Sequence, residues 1–333
     1  MKIIFSSYHN PHFITITEYI EKSIKNLGHD LIIYDDRQHI FPGRVRQRIR
    51  WINSLDLWHI NKQFVSLSLY TKPDIAIVAG GHRINVESIK KLKNNGIKTV
   101  LWTIDAPLDF NPIIAVANYY DYVFCGGTEA QKIFAKNKIS NTNWLPFACA
   151  PDFHRPIALT DEDKKKYEKD VVFVGSFYPN RWKILKELNN FDTGIWGPNW
   201  NKIPIESFNN LSINTAFINH IEWIKIFKAA KIVIVIHFQD GKTLCSQASP
   251  KVYEALACKS FVIVDRQKDV FSLFEDKKHL VGFDTIKDLK QKIVYYLENP
   301  NEREKIANNG YKEVLNKHTY MHRLEEMLYK IGV

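Results

Sequence analysis

Apolar and polar positions alternate along the first half of the chain in a pattern that predicts short buried strands separated by amphipathic helices. The apolar runs of strand length lie at 2–6, 30–34, 75–79, 99–104 and 122–125. The stretches with helical period lie at 16–26, 44–70, 86–95 and 128–136. The last of these opens with a capping-box pattern, because Gln131 follows Thr128 by three residues. Alternation of this kind predicts a parallel sheet covered by helices on both faces.

Three prolines between positions 145 and 156 interrupt this rhythm, and a charged run at 161–169 follows them. The strand pattern then returns at 170–175, 193–197, 232–237 and 261–265. Helical patterns alternate with it at 181–190, 221–230 and 250–258, and three more close the chain at 289–298, 302–315 and 320–331. The interruption therefore predicts a boundary between two α/β units, with the charged run as a linker or a short surface helix.

The predicted fold class is α/β, with two tandem Rossmann-like, doubly wound domains and an interdomain cleft, since 333 residues exceed the usual single core. We expect an N-terminal domain over 1–147, a linker over 148–169 and a second domain over 170–315. A C-terminal helix follows at 316–333, and one option is that it packs back on the N-terminal domain. Ligands of such sheets bind outside the carboxyl ends of the strands.

Composition favours a soluble globular protein, with 45% hydrophobic and 25% charged residues. The longest aliphatic run, 232–236, is far shorter than the roughly 20 residues of a membrane span. The first residues have the pattern of a strand, and their apolar run is too short for a signal peptide. The four cysteines form no C-x-x-C pair, which disfavours a zinc site or disulfide framework. A reducing, cytoplasmic location is the expectation.

The formal net charge is +10, and a dense part of it lies in the segment 44–51, which ends in a tryptophan. Its basic residues are Arg44, Arg46, Arg48 and Arg50. The segment fits a solvated basic helix face, or one that docks on an anionic membrane, which would put the protein at the inner face of the membrane. No nucleic-acid motif accompanies the charge, so no nucleic-acid partner is expected.

The most informative stretch is Ser249-Pro250-Lys251-Val252-Tyr253-Glu254. Ser249 is a good N-cap and Pro250 suits the first helical position, so the pattern predicts a helix start. Unpaired N–H groups and the partial positive charge there favour a diphosphate, and Lys251 adds a full charge. Glu254, one turn on, is suited to accept hydrogen bonds from ribose hydroxyls. The structural alternative is a capped helix in which Glu254 pairs with a lysine.

Two further strand ends supply candidate donor-site residues. After the first strand of the second half come Gly175 and Ser176, where backbone can approach a ligand closely, and Arg181, whose guanidinium matches phosphate geometry. After the next strand comes the run Trp196-Gly197-Pro198-Asn199-Trp200, in which Trp196 or Trp200 could wall a base pocket. His237 and the loop 238–248 are candidates to fold over the sugar and phosphates. Each element alone also fits an ordinary βα loop or a buried aromatic.

These motifs occur together with a patterned tail. The tail residues are Tyr295-Tyr296-Leu297, Asn301-Glu302-Arg303-Glu304-Lys305-Ile306-Ala307, Gly310, and His318-Thr319-Tyr320 with Arg323. In order and spacing, residues 170 to 330 resemble the C-terminal domain of the group 1 glycosyltransferases, most closely their CgeB-like, spore-maturation-type branch. The resemblance implies a GT-B fold, a UDP- or GDP-sugar as donor substrate, and metal-independent transfer with no tightly bound cofactor. Where the wider group carries a first glutamate, eight positions before Glu254, this chain has Ser246.

The same resemblance assigns the acceptor to the N-terminal domain. Three loop clusters follow its strands and contain His9, His82 and Asp105. The phrase from Asp105 to Pro107 resembles an Asp-x-Pro element of the CgeB-like proteins. Asp105 is the first candidate to orient or deprotonate the acceptor hydroxyl, and His9 and His82 are the alternatives. The acceptor would be a glycan, a lipid-linked molecule or a protein, in polysaccharide or glycoconjugate biosynthesis.

The function that best fits these features is transfer of a sugar from a nucleoside-diphosphate sugar to an acceptor hydroxyl. Two alternatives stay open. One is a sugar-nucleotide epimerase or hydrolase of the same fold, and the other is a non-catalytic protein that binds nucleotide or a membrane surface. A dehydrogenase is disfavoured, because no G-x-G-x-x-G follows the first strand.

Overall fold

The structure is a computed structural model that describes residues 1–103, 110–203, 210–216 and 218–333, with the side chains of Val45, Gln47 and Arg50 left aside. The chain forms two compact units. Unit 1 contains Met1–Pro146 and Arg323–Val333, and unit 2 contains Phe147–His322. Each unit has one six-stranded parallel sheet with flanking helices, which confirms the predicted α/β class of two tandem doubly wound units.

The sheet of unit 1 has the strand order β2-β1-β3-β4-β5-β6. Its strands are β1 (Lys2–Ser7), β2 (Asp30–Asp35), β3 (Ile75–Ala79), β4 (Lys98–Thr103), β5 (Tyr122–Cys125) and β6 (Thr142–Trp144). The central strand β3 is buried at every position, as an all-aliphatic strand covered on both faces should be. The order changes direction between β1 and β3, so the loops after these two strands diverge at the carboxyl edge.

Helices cover both faces of this sheet. They are α1 (Ile16–Asn26), α2 (Gly43–Arg48), α3 (Arg50–Thr71), α4 (Val86–Asn94), α5 (Asn111–Ala117), α6 (Thr128–Lys136) and, at the end of the chain, α14 (Tyr320–Lys330). The core on one face joins Ile4, Val78 and Leu101 of the strands to Ile60 and Phe64 of α3. The opposite side of α3 therefore faces solvent.

The sheet of unit 2 has the order β12-β11-β10-β7-β8-β9. Its strands are β7 (Lys169–Val174), β8 (Thr193–Trp196), β9 (Leu211–Asn214), β10 (Ala230–Val235), β11 (Val262–Asp265) and β12 (Val281–Phe283). Its helices are α7 (Asp161–Tyr167), α8 (Pro179–Leu185), α9 (His220–Ala229), α10 (Pro250–Ala257), α11 (Lys268–Leu273), α12 (Ile286–Glu298) and α13 (Pro300–Lys317). A 3-10 turn, Lys186–Leu188, follows α8.

Two local predictions are wrong. The helical pattern over 44–70 breaks at Ile49, whose backbone is extended (φ −123°, ψ 99°), so α2 and α3 are separate helices. The capping box at Thr128 does not form, because α6 begins at that residue and its N-cap is Gly127, with no side-chain hydrogen bond. The charged run at 161–169 does contain a helix, α7, with a capping box between Thr160 and Asp163.

Within the described ranges, no helix has both the length and the apolar character that spanning a bilayer demands.

Candidate functional site

The sheet of unit 2 has its topological switch point between β7 and β10. From β7 the chain moves outward to β8 and β9, returns to β10 beside β7, and then moves outward in the other direction. The loops after β7 and β10 therefore separate at the carboxyl edge, where doubly wound sheets bind their ligands. Gly175 follows β7, and His237 and the start of α10 follow β10. The predicted donor residues thus lie on segments at one sheet edge.

Helix α10 begins as its sequence predicts. Ser249 has an extended N-cap backbone (φ −60°, ψ 141°), and its hydroxyl accepts from the Lys251 N–H at 3.4 Å. Pro250 occupies the first turn, where its missing N–H costs no hydrogen bond. The helix start offers backbone N–H donors and the positive end of the helix dipole.

His237 holds this helix start in place. Its Nδ1 lies 2.6 Å from Asp265 Oδ1, and its backbone N–H donates to the same carboxylate at 3.0 Å. Its Nε2 accepts from the Ser249 N–H at 2.9 Å, so Nδ1 carries the proton and the ring is neutral. The side chain of His237 is 3% exposed. His237 therefore orients the N-cap, whereas the sequence made it a candidate to fold over the sugar and phosphates.

Lys251 and Glu254 form an ion pair in the first turn of α10. Lys251 Nζ lies 2.5 Å from Glu254 Oε2, and the two side chains are 25% and 4% exposed. Burial acts to raise the pKa of Glu254, but the charge of Lys251 and the Lys251 hydrogen bond outweigh it. The pKa of this carboxyl is consequently below its usual range. Glu254 is thus a buried carboxylate, in the arrangement of the structural alternative named above.

Two aromatic residues that the sequence analysis did not select complete this cluster. The Lys251 ammonium lies 3.9 Å from the centre of the Trp223 ring, a cation–π contact. The His154 ring stacks on Trp223 at 6.5 Å with an interplanar angle of 14°. Burial lowers the pKa of His154 to about 4, so this ring is neutral near pH 7. No spacing pattern links these positions to α10, and only the fold brings them together.

Arg181 braces the switch point from α8. Its Nε donates to the Ile236 carbonyl and its Nη1 to the Ser176 carbonyl, both at 2.9 Å. It thereby ties the loop after β7 to the end of β10. Burial lowers the pKa of Arg181, but a guanidinium stays charged at neutral pH. Within the described part of the chain, two of its five donors are used, which leaves capacity for a phosphate.

The turns after β7 and β8 are packed against each other. Gly197 has φ +145°, and a Cβ there would collide with the Gly175 carbonyl, so position 197 has no room for a larger residue. Trp200 is fully buried and donates from its indole to the Gly175 carbonyl at 2.8 Å. Trp196 is 4% exposed. These two tryptophans support the turns, and neither offers a ring face to a base as the sequence suggested.

In unit 1, the described acceptor-side candidates differ in their surroundings. His9 Nε2 lies 2.7 Å from Glu21 Oε1, and Glu21 is buried on α1, which raises the pKa of that carboxyl despite the His9 contact. His9 Nδ1 is buried and has no hydrogen-bond partner among the residues that the structure describes. His82 is exposed on the turn after β3. Asp105 lies outside the described residues.

A second polar cluster in unit 1 begins at Asp36, directly after β2. Burial raises the pKa of Asp36 to about 6, partly offset by the charge of Arg83. Arg83 Nη1 donates to His39 Nε2 at 3.2 Å, and His39 Nδ1 lies 2.6 Å from Asp56. Asp56 also pairs with Arg46 at 3.3 Å. Two acidic residues, Asp35 at the end of β2 and Asp36 directly after it, are the sequence signal from which this cluster could have been predicted.

A cavity of about 430 Å³ opens at the carboxyl ends of β10, β11 and β12. Its lining has both signs of charge, with Asp265 and Asp284 beside Lys183 and Arg266. The acidic groups make it a poor match for a diphosphate, which the start of α10 suits better.

Two tandem parallel α/β units of this kind define the GT-B fold, the fold of many sugar transferases. Residues 181–329 match the family model described as "Glycosyl transferase-like". Spore protein CgeB of Bacillus subtilis is 21% identical over 262 residues, covering 75% of this chain and 80% of that protein. These matches confirm the resemblance to the CgeB-like branch.

Solved structures agree over the whole chain. Sucrose-phosphate synthase from Thermosynechococcus elongatus superimposes with a TM-score of 0.71 at 11% identity, covering 99% of this chain and 98% of that one. HepE from Anabaena, in complex with UDP and glucose, gives a TM-score of 0.66 at 11% identity, covering 100% and 99%. These likenesses confirm the GT-B fold.

Proposed function

We propose that this chain is a glycosyltransferase that moves a sugar from a nucleoside-diphosphate sugar to an acceptor hydroxyl. The observation that carries the proposal is the start of α10: a serine-capped helix N-terminus at the switch point, with Lys251 in its first turn. The family match over 181–329 covers this segment.

The donor diphosphate binds at the first N–H groups of α10, where the helix dipole favours negative charge. Lys251 leaves Glu254 and moves onto the phosphates, since its long side chain is partly exposed and flexible. Glu254 then has both oxygens available for the ribose hydroxyls. The Lys251–Glu254 pair thus holds, next to the phosphate site, the ammonium and the carboxylate that bind the donor.

Departure of the nucleoside diphosphate develops negative charge on the phosphate oxygens. Lys251, the unused donors of Arg181 and the α10 N-terminus stabilise that charge, in the role that Mg²⁺ has in other transferases. His237 and Asp265 contribute by fixing the helix start, so the N–H groups need no reorganisation during the reaction.

Unit 1 holds the acceptor. Among its described residues, His9 has the geometry of a base: Glu21 binds one ring nitrogen and orients the ring, which leaves Nδ1 to accept the hydroxyl proton. Asp105, the first candidate from sequence, is the alternative.

The proposal is tested by thermal unfolding in the presence of UDP, GDP, UDP-glucose and GDP-mannose, each with and without EDTA. A nucleotide that binds the folded state raises the midpoint, by RT ln(1 + [L]/Kd) in free energy. One base should stabilise the chain, EDTA should not alter the shift, and Lys251→Ala should abolish it. No shift with any of the four would overturn the donor site.

Turnover is then measured as release of nucleoside diphosphate from the stabilising donor. Release that requires an acceptor supports transfer. Isomerisation of the sugar without an acceptor would identify an epimerase, and release into water alone a hydrolase.

A further inference from the structure

Helix α3 exposes an apolar stripe at its N-terminal half. Trp51, Leu55 and Trp58 are 65%, 45% and 58% exposed in the complete chain. With 3.6 residues per turn, these positions and Lys62 fall within an arc of about 60° on one side of the helix. The opposite side, which includes Ile60 and Phe64, is packed in the core of unit 1. This apolar surface is unfavourable in water, and the folding of the chain alone does not explain why it is exposed.

The stripe lies in the most basic part of the chain. Positions 37–72 contain seven arginine and lysine residues and a single acid, so this segment carries more than half of the net charge of +10. The acid, Asp56, is fully buried and bonded to His39 and Arg46. It consequently adds no exposed negative charge to the surface.

The basic side chains flank the apolar ones. Arg44 and Arg48 are exposed on α2, immediately before the stripe. Lys62 follows it, with its ammonium 5.0 Å from the centre of the Trp58 ring. Ile40 and Ile49, 53% and 37% exposed, widen the apolar area at the Arg44 end.

From this arrangement we infer that α2 and the first half of α3 dock on an anionic lipid bilayer. Tryptophan rings reside at the boundary between headgroups and acyl chains, and arginine and lysine beside them pair with anionic headgroups. Nucleic acid would be bound through the positive charge, but would leave the leucine and one face of each indole in water. A bilayer satisfies both the charge and the apolar stripe, and it is the occupant that we assign.

The inference is independent of sugar transfer, because it concerns exposed residues of unit 1 and needs no nucleotide. A membrane-docked transferase would act on acceptors held at that membrane, which selects lipid-linked molecules among the three acceptor classes.

The test is flotation of the full chain with vesicles of phosphatidylcholine alone or with one third phosphatidylglycerol. Binding is expected only with phosphatidylglycerol and should fall steeply with salt. The variant Trp51→Ala/Leu55→Ala/Trp58→Ala should bind at least 10-fold more weakly. Arg44→Glu/Arg48→Glu should lose at least about 10-fold, since each basic residue near an anionic surface contributes measurably.

A matched control removes three apolar residues outside the stripe that are at least as exposed: Tyr70→Ala/Val294→Ala/Tyr329→Ala, at residues 87%, 45% and 84% exposed. This variant should bind vesicles as the wild type does. Failure of the wild type to bind phosphatidylglycerol vesicles, or equal binding by the stripe variant, would overturn the inference. So would a concentration-dependent dimer that the stripe variant abolishes, because the occupant would then be a second copy. The nucleotide-induced thermal shift of the stripe variant should be unchanged, which separates this result from the donor-site proposal.

Discussion

At the residue scale, the Lys251–Glu254 pair is the main feature that supports a donor site at the start of α10. A charge buried to the extent of Glu254 is tolerated only with a partner, and the partner here is partly exposed beside a helix N-terminus. The lowered pKa of Glu254 means that the pair stabilises the fold above the unfolded pKa and that this contribution is lost as pH falls through the folded value. Stability and donor binding therefore depend on the same two side chains, and substitutions can separate them.

The separating variant is Lys251→Met/Glu254→Leu. Lys251→Ala alone leaves the buried Glu254 carboxylate without its partner and should lower the free energy of unfolding by about 3 kcal/mol, whereas the double variant should recover most of that loss. Both should lose UDP or GDP affinity by 10-fold or more, because the phosphate charge partner or the ribose acceptor is gone. Denaturant unfolding and calorimetric titration measure the two effects. Wild-type nucleotide affinity in the double variant would contradict the assigned roles.

The catalytic base is tested by His9→Gln and Asp105→Asn. Loss of a general base typically lowers kcat by 10²–10⁴-fold. We expect that loss for His9→Gln, with the donor KM little changed. Glu21→Gln, which weakens the hold on the ring, should instead displace the acidic limb of the pH–rate profile. If Asp105→Asn alone abolishes turnover and His9→Gln does not, the base is Asp105.

The burial of Asp36 should make the stability of the chain depend on pH. Burial raises its folded pKa from 3.8 to about 6, so its contribution to stability is complete below pH 3.8 and is lost as pH rises through about 6. Asp36→Asn should therefore stabilise the chain at pH 7.5, by about 1–3 kcal/mol, and have little effect near pH 4. Unfolding at both pH values measures this. A stabilisation independent of pH would mean that the carboxyl titrates normally.

Residue chemistry was predictable where local rules decide it. Ser249, Pro250 and Lys251 lie together in sequence, so their cap, helix start and charge were readable from spacing. Trp223 contacts Lys251 from 28 positions away, His154 stacks on Trp223 from 69 positions away, and no periodicity encodes such contacts. The sequence analysis proposed Trp200 as a wall of the base pocket. In the structure Trp200 is packed in the core, as buried aromatic residues more commonly are.

At the element scale, the feature with most consequence is the tether between β10, β11 and α10. Asp265 ends β11, His237 follows β10, and Ser249 caps α10, so one histidine connects three elements. The helix has only eight residues, and its own propensity would not fix its position. The tether does so from outside the helix.

His237→Ala should leave the Ser249 N–H and the Asp265 carboxylate without this partner. We expect a loss of about 2–4 kcal/mol in unfolding free energy and at least 10-fold weaker nucleotide binding, because the α10 amides lose their fixed position. The matched control is His279→Ala, also a buried histidine of unit 2, whose Nδ1 accepts from the Glu275 N–H at 3.2 Å. That variant should lose stability but keep its nucleotide affinity. If both variants lost the same nucleotide affinity, His237 would contribute only to general stability and not specifically to the nucleotide site.

Strands and helices with a strong hydrophobic period were predictable from the sequence, and the elements that were not predicted share one cause. The unpredicted elements α5, α11, β6, β9 and β12 have three to seven residues, too few for a period to be distinguished from chance. The break between α2 and α3 falls at Ile49, a residue with no breaker chemistry, so nothing in the local sequence marks it.

At the scale of the whole molecule, the chain passes from unit 1 to unit 2 once and then returns. Helix α14 begins at Tyr320, which bonds to Cys149 in unit 2, and from Arg323 onward it belongs to unit 1. Arg323 donates to the Pro146 carbonyl at 3.0 Å, and Lys98 donates to the Ile331 carbonyl at 2.9 Å. Unit 1 is therefore completed only by the last residues of the chain.

This arrangement predicts that the C-terminal residues stabilise unit 1 without taking part in donor binding. Met327 is fully buried, whereas Tyr329, two positions on, is 84% exposed. Met327→Ala should cost about 2–5 kcal/mol through lost burial and a cavity, and Tyr329→Ala should stay within about 0.5 kcal/mol of the wild type. Hydrogen exchange resolved by peptide shows which segments of the chain lose stability. Protection should decrease within unit 1 for Met327→Ala, while the α10 peptide and its nucleotide-induced protection stay unchanged. If deprotection spread equally to α10, the two units would unfold as one, and the donor site would depend on the complete chain.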